Sequence, residues 1–528
     1  METQRAMMFD LIIKKPSNIK NDVLSGITVA LALVPEAIAF AFVAHVDPTV
    51  GLYAAFMMGL ITAIFGGRPG MISGATGAVA VIFAPLVVHQ TALNGMDAAL
   101  SYLFLAVIIM GVLQVIFGVL KFGKFVRLIP HPVMLGFVNG LAIIIFKAQF
   151  GQFMVDGALM PMQPLMLMFG MVALTMIIIH YLPKLTTAVP STLVAIGAVS
   201  ALSMGCNAMG MDVYTVIDFV KNLDPTKTTL KAALPIFHWP GISTDALLIV
   251  LPYAALAAAV GLIESLMTLT LVDELTETRG RGNKESIGQG IANIVNGCFG
   301  GMGGCAMIGQ SMINIRGGGR GRLSGITAAL TLLFFVLFGA PLIEAIPLAA
   351  LVGVMFMVSI ATFEWSSFRI IKNIPRSDAL VIVVVSVVTV AVDLAIAVFI
   401  GVIMSALVFA WEQGKKIESN KEMDASGQCT YTLKGALFFG SVQSFKDTFD
   451  VTNDPNDIVI DCASMRVYDC SGIEAIQNVY ERYQKYQKNL RLINVSHECK
   501  TLIDRAEASV DIRAMSNLNW HIANDSMG

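Results

Sequence analysis

The sequence predicts an α-helical polytopic membrane protein with about fourteen transmembrane segments and a small α/β domain at its C-terminal end. Only 14% of its 528 residues are charged and 56% are hydrophobic, whereas soluble domains carry roughly 25% charged residues. The mean hydropathy is +0.73, and apolar runs recur along the chain up to residue 412. Beyond residue 425 the composition becomes polar, and short strand-like runs replace the long apolar ones.

Composition also argues against several functions. The formal net charge of −2 gives no support for nucleic-acid binding, so no nucleic-acid partner is expected. The seven cysteines form no CxxC pair, and neither a Ser/His/Asp set nor a metal-ligand spacing occurs. We therefore predict that the chain is not an enzyme and has no cofactor, with Na⁺ considered below only as a coupling ion.

Apolar runs that could cross a bilayer, each needing about 20 residues, fall into two sets of seven. The first set covers residues 23–44, 51–66, 72–90, 98–120, 128–150, 165–182 and 188–206. The second set covers residues 245–270, 286–300, 305–315, 323–345, 347–363, 378–393 and 395–412. The third segment of each set is interrupted by glycine, and residues 305–315 are also unusually few.

Lysine and arginine are distributed asymmetrically between the loops. They concentrate at Lys14 and Lys15 and in the runs KFGKFVR, RGRGNK, RGGGRGR, FRIIKNIPR and GKK. With fourteen segments all of these lie on the same side as both termini, whereas VVHQTALNGMDA and GQFMVDGALMPMQP on the other side carry none. The loop near residues 207–243 is an exception, with Lys221, Lys227 and Lys231, but long loops count for less. Basic loops of membrane proteins stay in the cytoplasm. Both termini are therefore predicted to be cytoplasmic.

The polar tail has the pattern of an α/β domain. The runs CTYTLKGALFFGS, DIVIDCASM and LRLINVS are typical of short strands, and GIEAIQNVYERYQKYQKN is typical of an amphipathic helix. The charged run EQGKKIESNKEMDASGQ before them has the composition of a domain boundary.

The third and tenth segments, GMISGATGAVAV and GGCAMIGQSMIN, occupy matching positions in the two sets. Broken segments in matching positions indicate the binding site of a transporter. If both are half-helices, their N-terminal amide groups carry partial positive charge and can bind an anion without a basic side chain. The alternative is that their small residues only allow close helix packing.

Two glutamates interrupt matching apolar segments. Glu264 lies in the eighth segment, with Thr268 on the same helix face at i+4, and Glu36 lies in the first, just after Pro35, which is expected to break that helix. Acids inside a membrane usually face a bundle interior or an aqueous cavity. We interpret them as sites for a coupling cation or proton; the alternative is a buried glutamate that joins two helices.

These motifs resemble the SulP anion-transporter family, the bacterial relatives of animal sulfate, chloride and bicarbonate exchangers. The resemblance rests on DVLSGITVALALVPEAIAFA, SGATGAVAV, GLIESLMTL and the long run NKESIGQGIANIVNGCFGGMGGCAMIGQSMINIRGGGRGRLSG. It implies fourteen segments in two inverted repeats of seven, and elevator-like movement of a core (segments 1–4 and 8–11) against a gate (segments 5–7 and 12–14). The predicted division is a cytoplasmic N-terminal segment 1–22, a transport domain 23–412, a linker 413–424 and a STAS domain 425–521.

The resemblance also implies which residues form the site. The lining residues that it implies are Ser73, Ala75, Thr76, Ala306, Met307, Ile308, Gly309, Gln310 and Ser311. Glu264 and Thr268 match the Na⁺-binding positions of sodium-coupled bicarbonate members, although those members have aspartate at the acid, while Glu36 resembles members thought to be proton-coupled. Many members carry arginine where Gln310 stands, so this chain is expected to hold its anion by dipoles and hydroxyl groups alone.

In the tail, MRVYDCSGIEAI resembles the STAS motif in which the serine before the glycine is phosphorylated in anti-sigma antagonists; here it is Ser471. The alternative is that Asp469 or Ser471 simply caps the following helix. The resemblance implies a regulatory or dimer-supporting role for this domain, a homodimer, and a cytoplasmic protein partner.

Together these features predict a transporter of sulfate or bicarbonate in the bacterial inner membrane, coupled to Na⁺ or H⁺. The alternatives are an uncoupled exchanger or channel-like protein, a dicarboxylate transporter, and a membrane-anchored sensor that acts through its STAS domain.

Overall fold

The computed structural model describes residues 19–123, 130–155, 158–186, 190–223, 229, 233–392, 394–414, 417–424, 427–496, 499–501 and 511–514. Most of the predicted N-terminal segment 1–22, the basic residues Lys14 and Lys15, and the predicted end of the tail domain at residue 521 lie outside these ranges. The chain divides into two compact units, residues 1–400 and 401–527.

The first unit is a bundle of apolar helices. Its first seven helices are α1 (Ile19–Val43), α2 (Pro48–Phe65), α3 (Gly77–Asn94), α4 (Met96–Val119), α5 (His131–Ala148), α6 (Met162–Leu185) and α7 (Ser191–Ala208). After the short α8 (Val216–Leu223) come α9 (Thr244–Thr276), α10 (Gly282–Cys298), α11 (Ile308–Arg316), α12 (Arg322–Phe338), α13 (Ala340–Glu344), α14 (Leu348–Thr362), α15 (Ser366–Ile370) and α16 (Arg376–Ala391). The next helix, α17 (Leu394–Gly414), contains the boundary between the two units.

Within the described residues, nine helices are long and apolar enough to cross a membrane, counting the 3₁₀ turn after α5 and α15 after α14 with the helices they extend. The predicted helical membrane fold is therefore confirmed. The remaining predicted segments coincide with α10, α11, α12, α16 and α17, which are shorter or less apolar. The number of about fourteen spans stays a prediction, because half-helices and short helices do not cross a bilayer on their own.

Helix α1 continues through Pro35, so the expected break before Glu36 is wrong. Proline removes one backbone donor from a helix, and transmembrane helices tolerate this where neighbouring helices enclose the backbone. Both Pro35 and Glu36 are buried in this bundle.

Helices α1 to α4 pack against helices from the second half of the bundle, α9 to α12. α1 and α2 contact α12, and α4 contacts α10 and α9. Small residues allow this close packing: a Cβ at Gly111 of α4 would lie 2.5 Å from the carbonyl oxygen of Gly290 in α10. A second set of contacts joins α5 to α16 and α6 to α7 and α14, and it meets the first set where α14 contacts α1 and α5 contacts α3.

The first unit holds two short antiparallel strand pairs, β1 (Ser73–Gly74) with β4 (Cys305–Ala306) and β2 (Met154–Val155) with β3 (Ala158–Leu159). The second unit contains a five-stranded sheet whose strands lie side by side in chain order. The strands are β5 (Glu418–Met423), β6 (Cys429–Leu437), β7 (Asp457–Val467), β8 (Asn489–Val495) and β9 (Asp511–Ala514), with helices α18 (Val442–Asp447) and α19 (Cys470–Lys485). β5 is antiparallel to β6, and the remaining pairs are parallel. Because β6, β7, β8 and α19 coincide with the predicted strands and helix, the α/β tail is confirmed; β5 and β9 were not predicted.

The sheet begins earlier than predicted. β5 lies inside the segment 413–424 that the sequence predicts as a linker, and it pairs with β6 from Glu418 to Met423. All six of its residues are exposed. An edge strand with solvated side chains has the polar composition of a linker, and only its backbone pairing distinguishes the two.

Helix α19 is capped by Asp469. Its Oδ1 accepts a hydrogen bond from the Gly472 amide at 2.9 Å, and its Oδ2 accepts one from the Phe439 amide at 2.8 Å. Ser471 lies in the first turn of the helix and is half-buried. Of the two capping residues considered from the sequence, the structure therefore selects Asp469, and phosphorylation of Ser471 stays a prediction.

Candidate functional site

Two short strands join the third and tenth predicted segments. β1 (Ser73–Gly74) pairs antiparallel with β4 (Cys305–Ala306), so that Ser73 lies opposite Ala306 and Gly74 lies opposite Cys305. Apolar surroundings require every backbone polar group to be paired inside the protein. The strand pair meets this requirement where both segments leave the helical conformation.

A helix begins directly after each strand. α3 begins at Gly77 and α11 at Ile308, and the preceding residues, Thr76 and Met307, are extended. Neither Thr76 nor Met307 accepts a hydrogen bond from the helix with its side chain. The first amides of both helices therefore keep the partial positive charge that attracts anions. Because β1 and β4 are paired, these two helix ends lie close together.

Glu264 of α9 is linked to both broken segments, the third and the tenth, through one thiol. Cys305 Sγ donates to Glu264 Oε2 at 2.7 Å and lies 3.2 Å from Thr76 Oγ1, with which it shares a hydrogen bond. Cys305 is fully buried and Glu264 is partly buried. The acid is therefore adjacent to β4 and to the start of α3.

Ser265 and Thr268 follow Glu264 on α9, one and four residues later. Thr268 is fully buried, and its hydroxyl donates to the Glu264 carbonyl oxygen at 2.8 Å rather than to the carboxylate. Ser265 Oγ accepts a hydrogen bond from the Ala306 amide at 3.1 Å. α9 thus contacts β4 by two side chains, those of Ser265 and Glu264.

Glu36 of α1 contacts the tenth segment from another helix. Gln310 Nε2 donates to Glu36 Oε2, and both side chains are buried. The two acids predicted from matching positions therefore both bind residues of the segment 305–310. Glu36 and Glu264 do so from different helices, α1 and α9.

The other predicted lining residues differ in their access to open space. Ser73 accepts from Gln289 Nε2 at 2.8 Å, and Ser311 Oγ accepts from the Ile72 amide at 3.0 Å, so both hydroxyls hold the framework together. Ala75, Ala306 and Met307 are buried, whereas Ile308 is half-buried. Gly309 is exposed, and a Cβ there would meet no heavy atom within 4 Å. The start of α11 is the open part of the site.

Sequence reasoning missed several polar residues of the site: Cys305, Ser265, and a row on α10. In that row, Glu285 Oε2 accepts from the Gly67 amide at 2.7 Å, and Gln289 donates to both Glu285 and Ser73. Asn293 exchanges hydrogen bonds with the backbone of Gly304 at 3.0 and 3.1 Å. The signal was present, because residues 285, 289 and 293 repeat at the four-residue spacing that aligns side chains on one helix face.

Comparison with known proteins identifies the family. The model of the sulfate permease family matches residues 19–156 and 158–386. The chain belongs to the sulfate permease family. The expected SulP resemblance is confirmed, and members of this family are transporters rather than enzymes. The STAS domain model matches residues 418–519, which include β5.

Relatives of this sulfate permease family member extend over nearly its whole length. It is 44% identical over 491 residues to the candidate sulfate transporter YbaR of Bacillus subtilis, which covers 92% of this chain and 96% of YbaR. It is 29% identical over 530 residues to the bicarbonate transporter BicA of Picosynechococcus, covering 92% of this chain and 91% of BicA.

Solved structures agree with this fold. The transmembrane domain of a cyanobacterial BicA superposes with a TM-score of 0.63 at 32% identity, covering 73% of this chain and 98% of that one. The murine Solute Carrier 26 family member A9 anion transporter, in its inward-facing state, superposes with a TM-score of 0.80 over 97% of this chain and 94% of that one. Its identity is 15%, so this likeness concerns the fold alone.

Proposed function

We propose that this protein is a secondary active transporter of a small inorganic anion, sulfate or bicarbonate, coupled to Na⁺ or H⁺. One observation carries the proposal: the N-terminal ends of α3 and α11 meet beside the β1–β4 pair, and Glu264 contacts that pair through Cys305. The arrangement combines an anion site with an acid that can take up a cation.

Anion binding would rest on backbone groups. None of the nine predicted lining residues is basic, and the N-cap positions Thr76 and Met307 leave the first helical amides without a side-chain acceptor. Helix N-termini of this kind bind anions through N–H groups and the helix dipole. Gly309, which is exposed, is where the anion would approach α11 most closely.

Coupling follows from the position of Glu264. At an effective dielectric constant of about 20, two like unit charges about 7 Å apart repel each other by about 2 kcal/mol. An ionised Glu264 would therefore weaken anion binding, and a bound Na⁺ or H⁺ would remove that repulsion. This gives the acid the properties of a coupling site, in which cation and anion favour each other's binding.

Both coupling ions have support in the geometry. Na⁺ would use oxygen ligands, and the Glu264 carboxylate and the Thr268 hydroxyl lie one helical turn apart. H⁺ would use Glu264 or Glu36, which contact the neutral side chains of Cys305 and Gln310. Because both partners belong to the segment 305–310, ion binding at either acid would act on the same half of the anion site.

The wider organisation is part of the proposal. We infer a core of segments 1–4 and 8–11 that moves against a gate of segments 5–7 and 12–14, in keeping with the two sets of helix contacts. The protein would lie in the bacterial inner membrane with both termini in the cytoplasm. Its STAS domain would regulate transport or bind a cytoplasmic partner. The protein would form a homodimer. The names of YbaR and BicA support sulfate and bicarbonate as substrates.

The test is uptake by the purified protein in liposomes. Labelled sulfate, bicarbonate and succinate are each supplied under an inward Na⁺ gradient and an inward H⁺ gradient. We expect accumulation of sulfate or bicarbonate under one of the two gradients. Accumulation of succinate alone would favour the dicarboxylate alternative.

Glu264→Gln separates coupled from uncoupled transport. It should abolish gradient-driven accumulation while leaving anion exchange measurable. The matched control is Glu274→Gln, which changes an exposed acid on the same helix and should behave as wild type. Unchanged accumulation in Glu264→Gln would exclude Glu264 as the coupling site, whereas anion flux by the wild-type protein without accumulation under either gradient would indicate an uncoupled exchanger. No transport by the wild-type protein, together with capture of a partner by the tail, would favour the sensor.

A further inference from the structure

A cavity of about 670 Å³ lies apart from the Glu264 contacts. It is lined by the last residues of α1, the middle of α3, the end of α5 and the start of α14. These elements place it toward the end of α1 opposite Ile19. In the proposed topology that end faces the outside of the cell.

Lys147 is the one Lys, Arg, Asp or Glu among the described residues that line this cavity. It lies in the last turn of α5 and is exposed. Among the lining residues that the structure describes there is no carboxylate, and the other ionisable ones are His45 and Tyr214. The remaining walls are mostly apolar, with Phe42, Ile144 and similar side chains. Low-dielectric walls around one sign of charge focus the electrostatic field and concentrate counter-ions.

Two side chains pack against the start of α3, near the point where the cavity reaches this helix. Val81 of α3 lines the cavity, about one turn beyond Gly77, where α3 begins. A Cβ at Gly77 would lie 2.8 Å from Cε1 of Phe40 and 2.9 Å from Cδ1 of Ile145. Phe40 and Ile145 therefore cover the start of α3 on this side. Phe40 belongs to α1 and Ile145 to α5, which lie in the proposed core and gate.

We propose that this cavity is an outer vestibule in which Lys147 captures the anion before it reaches the half-helix ends. Movement between α1 and α5 would separate Phe40 from Ile145 and open the path along α3. The proposal rests on the proposed function as an anion transporter. It assigns to Lys147 a role in capture from outside rather than in binding at the central site.

Charge removal at Lys147 should raise KM selectively at low ionic strength. Lys147→Gln should raise the KM for anion uptake about threefold to tenfold at an ionic strength near 0.01 M, where the screening length is about 30 Å. The increase should shrink to less than about twofold near 0.3 M, because the lost charge is then screened. kcat should stay near the wild-type value in both conditions, and Lys147→Arg should retain the wild-type KM.

Lys221→Gln is the matched control. Lys221 lies on α8, which the proposed topology places on the outer side of the membrane like Lys147. Its Nζ lies 3.8 Å from Asp218 Oδ1, and it does not line the cavity. Lys221→Gln removes the same charge as Lys147→Gln but from outside the cavity. Its KM should therefore change less than that of Lys147→Gln. Equal KM changes in the two variants, or no salt-dependent change in Lys147→Gln, would overturn the vestibule. Absence of uptake by the wild-type protein would instead overturn the proposed function.

A second measurement restores the charge in place. Lys147→Cys, in a Cys206→Ser background, is treated from outside with membrane-impermeant thiol reagents that carry either a positive or a negative group. The positive reagent should return KM toward the wild-type value, and the negative reagent should raise it further. Equal effects of the two reagents, or no reaction from outside, would overturn the proposal.

Discussion

The thiol of Cys305 donates a hydrogen bond to Oε2 of Glu264 over 2.7 Å, although the two residues are 41 positions apart. The same sulfur lies 3.2 Å from Thr76 Oγ1, at the start of the other half-helix. One buried side chain therefore connects the proposed coupling acid to both parts of the proposed anion site. This connection allows a change at Glu264 to reach Thr76 without a large movement.

Cys305→Ala should lower coupled anion uptake about tenfold, because it removes the donor to Glu264 and leaves Thr76 without that partner, a loss on the order of 1–2 kcal/mol. Cys305→Ser keeps a hydroxyl donor and should stay within about threefold of wild type. The measurement is initial uptake in liposomes under the driving gradient. Cys298→Ala, which changes another buried cysteine, is the control; equal activity of Cys305→Ala and wild type would contradict the prediction.

Gly304→Ala should disrupt the antiparallel pairing of β1 with β4. A Cβ at this position would lie 2.0 Å from the carbonyl oxygen of Gly74, which is backbone and cannot move aside cheaply. We expect loss of transport together with a lower melting temperature in detergent. Gly309→Ala is the control, since its Cβ would meet no heavy atom within 4 Å; it should melt as wild type. Normal transport by Gly304→Ala would show that the strands can separate.

Asp454→Ala should destabilise the tail domain by about 2–4 kcal/mol, because it leaves two buried hydroxyls without an acceptor. The Asp454 carboxylate accepts hydrogen bonds from Tyr431 at 2.9 and 3.0 Å, from Tyr483 at 2.5 Å and from Lys421 at 2.6 Å. The measurement is hydrogen–deuterium exchange of β6 and β7 peptides in the full-length protein, where protection should fall.

The control for this variant is Asp450→Ala. Among the described residues, the Asp450 side chain accepts hydrogen bonds from Thr452 and Asn453, both in its own exposed turn. Protection of β6 and β7 should therefore be unchanged in Asp450→Ala. A similar loss of protection in both variants would mean that the turn, and not the buried carboxylate, stabilises the domain.

Iodoacetamide at pH 8 should label Cys470 well before Cys462. Burial raises the pKa of Cys462 to about 12, so only about one thiol in ten thousand is ionised at pH 8, and the thiolate is the reacting form. Cys470 is exposed at the start of α19. The raised pKa of Cys462 also affects stability, because the folded domain holds the thiol proton more tightly than the unfolded chain does. The free energy of unfolding should therefore fall as the pH rises from about 9 to about 12.

Peptide mass spectrometry of the full-length protein gives the two labelling rates. Unfolding in urea should make the rates similar, which serves as the control. Equal rates in the native protein would contradict the burial of Cys462.

Much of the site was accessible from the sequence because charge inside an apolar segment is conspicuous. Glu264 and Glu36 could be singled out as intramembrane acids, and the glycine-rich third and tenth segments as broken segments. Of the helices that follow the two breaks, α11 is short, whereas α3 is long enough to span a membrane. The residues that were missed are those whose role depends on a distant partner. A single cysteine such as Cys305 in an apolar segment gives no signal that it forms a hydrogen bond. Gln289 resembles any polar residue near a loop, and only the structure shows that it donates to Ser73.

Apolar length, the distribution of basic loops and side-chain periodicity act locally, and they alone determined that this chain forms a helical membrane protein with an α/β tail. Only the tertiary structure decided that Ser73 lies opposite Ala306, that Gln310 contacts Glu36 across 274 positions, and that residues 418–423 form a strand. The physical reason is that hydrogen-bond partners far apart in the chain are selected by how helices and strands pack, which no local pattern encodes.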